Sequence, residues 1–186
     1  KEFTYNGITQ QNRNLLLWRD ESVDGLKTGH TEEAGYCLVS SAKKDGMRLI
    51  AVVMGTDSEG ARARESQKLL TYGFRFFETY KAYSAGDILD TAELWMGDKD
   101  QVRLGLAEDL VLTIPRESHE NLKAEVTVNP QLQAPINEGE KYGTVTVRMN
   151  NELLVEKPLV ALESVEEAGL FTRLWHHILL FFKGLF

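Results

Sequence analysis

Gly35–Gly55 reads GYCLVSSAKKDGMRLIAVVMG. Two β-rich runs, Gly35–Ala42 and Met47–Gly55, flank Lys43-Lys44-Asp45-Gly46, a polar turn ending in Asp-Gly. That arrangement is a strong hairpin signal, because the tight turn that suits the strand twist requires residues tolerant of positive φ. Asp57 and Ser58 follow and can cap a helix whose apolar positions Leu69, Leu70, Gly73, Phe76, Phe77 and Tyr80 recur at helical spacing. Such a helix would cover one face of the sheet. Upstream, strand and helix signals alternate from Phe3, Tyr5 and Ile8 through the run Leu15–Trp18, so residues 1–79 read as one mixed α and β region.

From about Tyr83 the texture changes to short alternating runs separated by turns. Val102, Leu104 and Leu106, then Leu122, Ala124, Val126 and Val128, then Val145, Val147 and Met149 each recur at period two. Gly97-Asp98, Asn129-Pro130, Glu138-Gly139 and Asn150-Asn151 punctuate them at intervals suited to a small sandwich. Residues 80–165 are therefore expected to form an all-β domain, and residues 166–186 an amphipathic helix. In Leu170–Phe186 (LFTRLWHHILLFFKGLF), Arg173, His176, His177 and Lys183 fall mainly on one side, into which Leu180 intrudes. Leu170, Phe171, Leu174, Trp175, Ile178 and Phe182 make an apolar side, and the segment contains no acidic residue. Such a helix is too short to span a bilayer but suits a membrane interface, with Trp175 at headgroup depth and the basic residues toward anionic lipid. Docking on the protein's own core or on a second copy is the other reading of the same pattern.

The bulk numbers narrow the function classes. The chain has 186 residues, 42% of them hydrophobic and 26% charged, enough for a real core in one or two domains. A net charge of −7 with interspersed signs is the opposite of the basic stripe that neutralises phosphates, so no nucleic-acid partner is expected. The single cysteine, Cys37, sits between Tyr36 and Leu38 and reads as an inert strand thiol. His119 reads as a solvated loop residue, and His176 and His177 are not spaced as a metal pair. Neither a metal nor a cofactor is expected. No stretch approaches the length that crosses a bilayer, and the polar Lys1–Gln10 resembles no signal peptide, which reads as an N-terminally truncated chain.

The segment that carries chemistry is Val23-Asp24-Gly25-Leu26-Lys27-Thr28-Gly29-His30-Thr31. On an edge strand lining a cleft, an ammonium and a hydroxyl can meet a substrate carboxylate, while glycine lets a ligand approach the backbone closely. Alone, a Lys-Thr-Gly triplet is a weak signal. The context here is rich: Asn12–Trp18 (NRNLLLW), Val23–Thr31, Ala34-Gly35-Tyr36, Met47–Ile50, Arg62–Ser66 (RARES) and Leu69–Thr79 (LLTYGFRFFET) together resemble the serine D-alanyl-D-alanine carboxypeptidases, the low-molecular-mass penicillin-binding proteins. The resemblance runs on into the β-rich half and the tail.

The resemblance implies an α+β fold: the C-terminal part of a β-lactamase/transpeptidase-like catalytic domain, then a small all-β sandwich, then the amphipathic helix. It implies an enzyme at the periplasmic face of the bacterial inner membrane that removes the terminal D-Ala from peptidoglycan pentapeptides through a serine acyl-enzyme, and that β-lactams acylate. Lys27 would supply positive charge beside that serine, Thr28 would hydrogen-bond the substrate's terminal carboxylate, and Gly29 would let it approach. His30 would lend its backbone N–H to an oxyanion hole. Arg62 would help hold the carboxylate, with Arg13 supporting the same electropositive corner. The family's S-x-x-K and S-x-N elements lie upstream of these motifs, and Ser22, Ser40, Ser41, Ser58, Ser66, Ser84, Ser118 and Ser164 are all set aside as nucleophiles. A noncatalytic module that binds membrane and cell wall remains open on this reading. A β-lactamase shares the triplet but lacks the extra β domain and tail.

Overall fold

The computed structural model describes residues 1–183, with the side chains from Phe181 onward outside the description. The fold is α+β and rich in strands, as expected. Its first compact unit comprises Lys1–Thr79 with Thr113–Arg116, and its second Tyr80–Leu112 with the residues from Glu117 on.

In the first unit, β1 (Glu2–Tyr5) and β2 (Ile8–Gln11) form a hairpin, and the short helix α1 (Leu16–Arg19) leads to β3 (Val23–Thr31). β3, β4 (Gly35–Lys44) and β5 (Met47–Thr56) make an antiparallel sheet in that order, with β3 at one edge. The hairpin turn is tighter than the sequence suggested. Lys44 pairs with Met47, so Lys43 and Lys44 belong to the strand and only Asp45 (φ 50°) and Gly46 (φ 81°) turn. Both carry the positive φ of the turn that matches strand twist.

Helix α2 (Glu59–Phe76) begins where Ser58 Oγ accepts a hydrogen bond from the Ala61 N–H at 3.1 Å, an N-cap that offsets one orphan donor. It ends earlier than the apolar spacing implied. Phe77 turns to extended backbone and, with Tyr80, belongs to strand β6 (Phe77–Tyr83). The periodicity misled because β-branched and aromatic residues satisfy period two as readily as period 3.6 over so short a run.

Alternation along β5 sends Met47, Ala51 and Val53 inward and leaves Ile50, Val52 and Met54 exposed. Of these, Ala51 joins Leu16, Val23, Leu38, Ala42, Ala63 and Leu70 in the core between sheet and α2. Gly73 permits the close approach, since a Cβ there would overlap the Leu49 side chain. Asp20 fastens the start of β3 to α2, accepting from Ser22 N (2.9 Å), Ser22 Oγ (2.6 Å) and Gln67 Nε2 (2.7 Å). Burial alone would raise its pKa, but these hydrogen bonds outweigh it and hold the carboxyl below its ordinary range.

Among the described residues the second unit is all-β apart from a 3₁₀ turn at His119–Asn121 and helix α3 (Leu170–Lys183). Its strands are β7 (Ile88–Trp95), β8 (Gln101–Gly105), β9 (Leu110–Pro115, whose end belongs to the first unit), β10 (Leu122–Val128), β11 (Leu132–Gln133), β12 (Lys141–Met149) and β13 (Glu152–Ala161). Six of them form one sheet in the order β10-β12-β13-β8-β7-β11. The period-two sets fall on β8, β10 and β12, and Val102, Leu104, Val145 and Val147 are fully buried. Asn150 and Asn151, both at positive φ, join β12 to β13 in a two-residue turn.

Glu163, just past β13, accepts from Arg103 Nε (2.7 Å) and Lys99 Nζ (2.5 Å). The Arg103 and Lys99 hydrogen bonds hold its carboxyl at about 2 against an ordinary 4.5, burial opposing them slightly. Since the folded value is the lower one, the stabilisation is complete above about pH 4.5 and is lost as pH falls toward 2. Both cations are half exposed, so screening limits it to about 1 kcal/mol. Urea midpoints at pH 7 and pH 3 are therefore expected to converge more closely in Glu163→Gln than in the unaltered chain; equal pH slopes would contradict this.

Candidate active site

Lys27, Thr28, Gly29 and His30 lie in the middle and second half of β3, paired with Val39, Leu38, Cys37 and Tyr36 of β4. Because β3 is the sheet's edge, its far side is open among the described residues, as a strand that receives an extended ligand needs to be. Lys27, Gly29 and His30 are exposed and Thr28 is half-buried. The alternation places Lys27 and Thr28 on opposite faces: Lys27 shares the face of exposed Ile50 and Val52, and Thr28 the face of Leu38 that α2 covers. The Lys27 ammonium donates to the Thr28 carbonyl at 2.5 Å. His30 packs its ring on Tyr36, centroids 4.0 Å apart.

Arg62, in the first turn of α2, is 2% exposed. Its guanidinium donates to the carbonyls of Gly29 (3.3 Å) and Arg13 (3.2 Å), pairs with Glu59 (3.0 Å) and lies over the Tyr36 ring at 5.5 Å. One buried cation thus ties together the backbone of two residues assigned to the site. Arg13 contributes its carbonyl to this joint and is itself exposed. Asn14, within the quoted Asn12–Trp18 motif but given no role there, is a buried residue whose Nδ2 donates to Gly25 O (3.0 Å) while its Oδ1 accepts from Leu16 N (3.1 Å). Asn14 and Arg62 together clamp the loop of residues 12–15 against β3. Asn-Arg-Asn before an apolar run is a turn signal, but only the fold reveals which strand the turn grips.

A recess of about 430 Å³, lined by Asp20, Ser22, Lys44, Gln67, Thr71, Phe74 and Arg75, lies at the start of β3 and the end of β4. None of the expected site residues lines it. These residues present an open edge, and a cleft there requires a second wall.

Two of the serines set aside do precede a lysine at the spacing of S-x-x-K: Ser40 with Lys43, and Ser41 with Lys44. Both pairs lie on β4, where residues three apart point to opposite faces, so the lysine cannot serve as the serine's base. Both serines are buried and both lysines exposed; Ser40 Oγ donates to Ala51 O (3.4 Å), and Ser41 Oγ accepts from Arg48. Neither is a nucleophile here.

Of the residues assigned to a membrane face, Leu170, Phe171, Leu174, Trp175 and Ile178 are exposed, as is Leu179. The Phe182 side chain lies outside the described residues. No described helix is long and apolar enough to cross a membrane. No cluster of three potential metal ligands occurs among the described residues.

Residues 1–58 match the family model of the D-alanyl-D-alanine carboxypeptidases, and residues 77–167 that of the penicillin-binding protein 5 C-terminal domain. All of the chain aligns at 46% identity with 47% of D-alanyl-D-alanine carboxypeptidase DacC of Escherichia coli K12, and at 44% identity with 47% of DacA from the same organism. The chain thus spans about half the length of these relatives. A crystal structure of penicillin-binding protein 5 from Haemophilus influenzae superposes with a TM-score of 0.80 at 42% identity, over 90% of this chain and 49% of that one. With a Lys-Thr-Gly edge strand followed by a matching β domain, the chain belongs to the D-alanyl-D-alanine carboxypeptidase family.

Proposed function

We propose that this chain forms the C-terminal half of a serine D-alanyl-D-alanine carboxypeptidase that trims peptidoglycan pentapeptides through an acyl-enzyme and is acylated by β-lactams. The observation that carries the reading is Lys27-Thr28-Gly29 on an open edge strand. An extended peptide can lie along such an edge by backbone hydrogen bonds, its C-terminal carboxylate near Thr28 and its scissile carbonyl near the His30 N–H. Lys27 would lower the energy of negative charge that develops in the tetrahedral state. The nucleophile has to come from a serine with its own adjacent base outside these residues, since no serine here has one. The exposed apolar side of α3 supports attachment to a lipid surface, in this reading the periplasmic face of the inner membrane.

Intact-mass analysis after incubation with a fluorescent penicillin tests the reading. A protein of the relatives' full length that carries this sequence should gain one adduct, and the 186-residue chain alone none. No adduct on either would favour a noncatalytic wall- and membrane-binding module. Rapid release of the hydrolysed drug from the longer protein would favour a β-lactamase.

A further inference from the structure

The apolar side of α3 faces away from the β domain because the polar side is the docked one. Among the helix residues whose burial is described, Arg173, His176 and Leu180 are half-buried and the others exposed. At about 100° per residue these three fall in one narrow stripe, and Phe171, Leu174 and Ile178 on the opposite side. Leu180, which breaks the polar side in sequence, thereby belongs to the docking stripe. His176 is its centre: its Nδ1 accepts the Met96 backbone N–H at 2.8 Å, and its ring meets Trp95 edge-on, centroids 5.4 Å apart.

The segment leading into the helix is bound to the same loop. Met96 O accepts from Ala168 N (2.8 Å), Asp98 N donates to Glu166 O (3.0 Å), and Arg173 pairs with Glu167. Gly169 alone separates that joint from the helix. A free amphipathic tether would need none of these contacts, and a helix docked on its own core would bury Phe171 (92% exposed) and Leu170 (82% exposed) instead.

We infer that His176 is a positioning residue that latches α3 to the β domain by its polar side, so that domain and helix meet a lipid surface as one rigid body of fixed orientation. The inference rests on the membrane reading above and adds the coupling to it. The test places nitroxide labels at Thr172→Cys and Lys157→Cys in a Cys37→Ser background of the whole chain. Their separation is read by pulsed electron resonance, first in solution and then on vesicles of phosphatidylcholine with a minor share of phosphatidylglycerol.

A narrow distance distribution is expected in both settings. His176→Ala should broaden it at least twofold. His176→Asn, whose side-chain oxygen can replace Nδ1 as acceptor, should restore it, and His177→Ala should leave it unchanged. A broad distribution in the unaltered helix, or a narrow one in His176→Ala, overturns the latch. Failure to bind vesicles despite a narrow distribution in solution overturns the rigid-body engagement of lipid, by removing the membrane reading beneath it.

Discussion

In a protein of the relatives' full length, Lys27→Ala is expected to lower both penicillin acylation and D-Ala release by about 10²–10³-fold, the loss typical of removing one donor aimed at charge that develops in a transition state. The loss should fall on kcat more than on KM, because uniform binding of the peptide along β3 depends on its backbone and not on this ammonium. Stability should change little: Lys27 is exposed, and its one hydrogen bond in this structure is to the neighbouring Thr28 carbonyl. That contact is local and readily exchanged for a catalytic partner on the open side. Lys27→Arg should recover only a fraction of the rate, because a planar guanidinium cannot replace a compact ammonium at the same point. Stopped-flow acylation beside thermal melts checks the proposal; a change in melting without a change in rate would assign Lys27 to structure.

The contrast between Lys27 and its neighbours marks what a sequence can disclose. The hairpin, the Ser58 cap and the alternation in β8 and β12 are local signals, set by turn chemistry and by which side of a strand must leave water, and they are legible one segment at a time. The end of α2 was misplaced because Phe77 and Tyr80 fit both periods, and only pairing across a sheet decides between them. The docked side of α3 was also hidden: amphipathicity says that two sides differ, not which one the protein keeps. Within the candidate site, the family resemblance pointed to Lys27 through His30 and to Arg62, but not to the contacts that Arg62 makes. Burial of a guanidinium is a property of the tertiary fold, and nothing in RARES foretells it.

Arg62 therefore offers the second large effect, and its sign separates two roles. The family resemblance gives it the substrate's carboxylate. Its geometry here gives it two backbone carbonyls, Gly29 on β3 and Arg13 on the preceding loop, with Glu59 and the Tyr36 ring completing its surroundings. Removing a cation whose own side chain is buried leaves both carbonyls without their donor, a change of the kind that costs about 1–3 kcal/mol. Arg62→Met is expected to lose that much in urea unfolding of the full-length protein and to lower acylation through misplacement of β3. Arg62→Lys should recover little, because a single ammonium cannot span two carbonyls and also cover the Tyr36 face. If Arg62 instead acted on substrate alone, either variant would raise KM several-fold and leave the urea midpoint where it was. The same pair of measurements on Tyr36→Leu adds a control, since that change removes the ring beneath the guanidinium and spares both carbonyl bonds. It should lower stability by about 0.5–2 kcal/mol, less than Arg62→Met, and leave Gly29 in place.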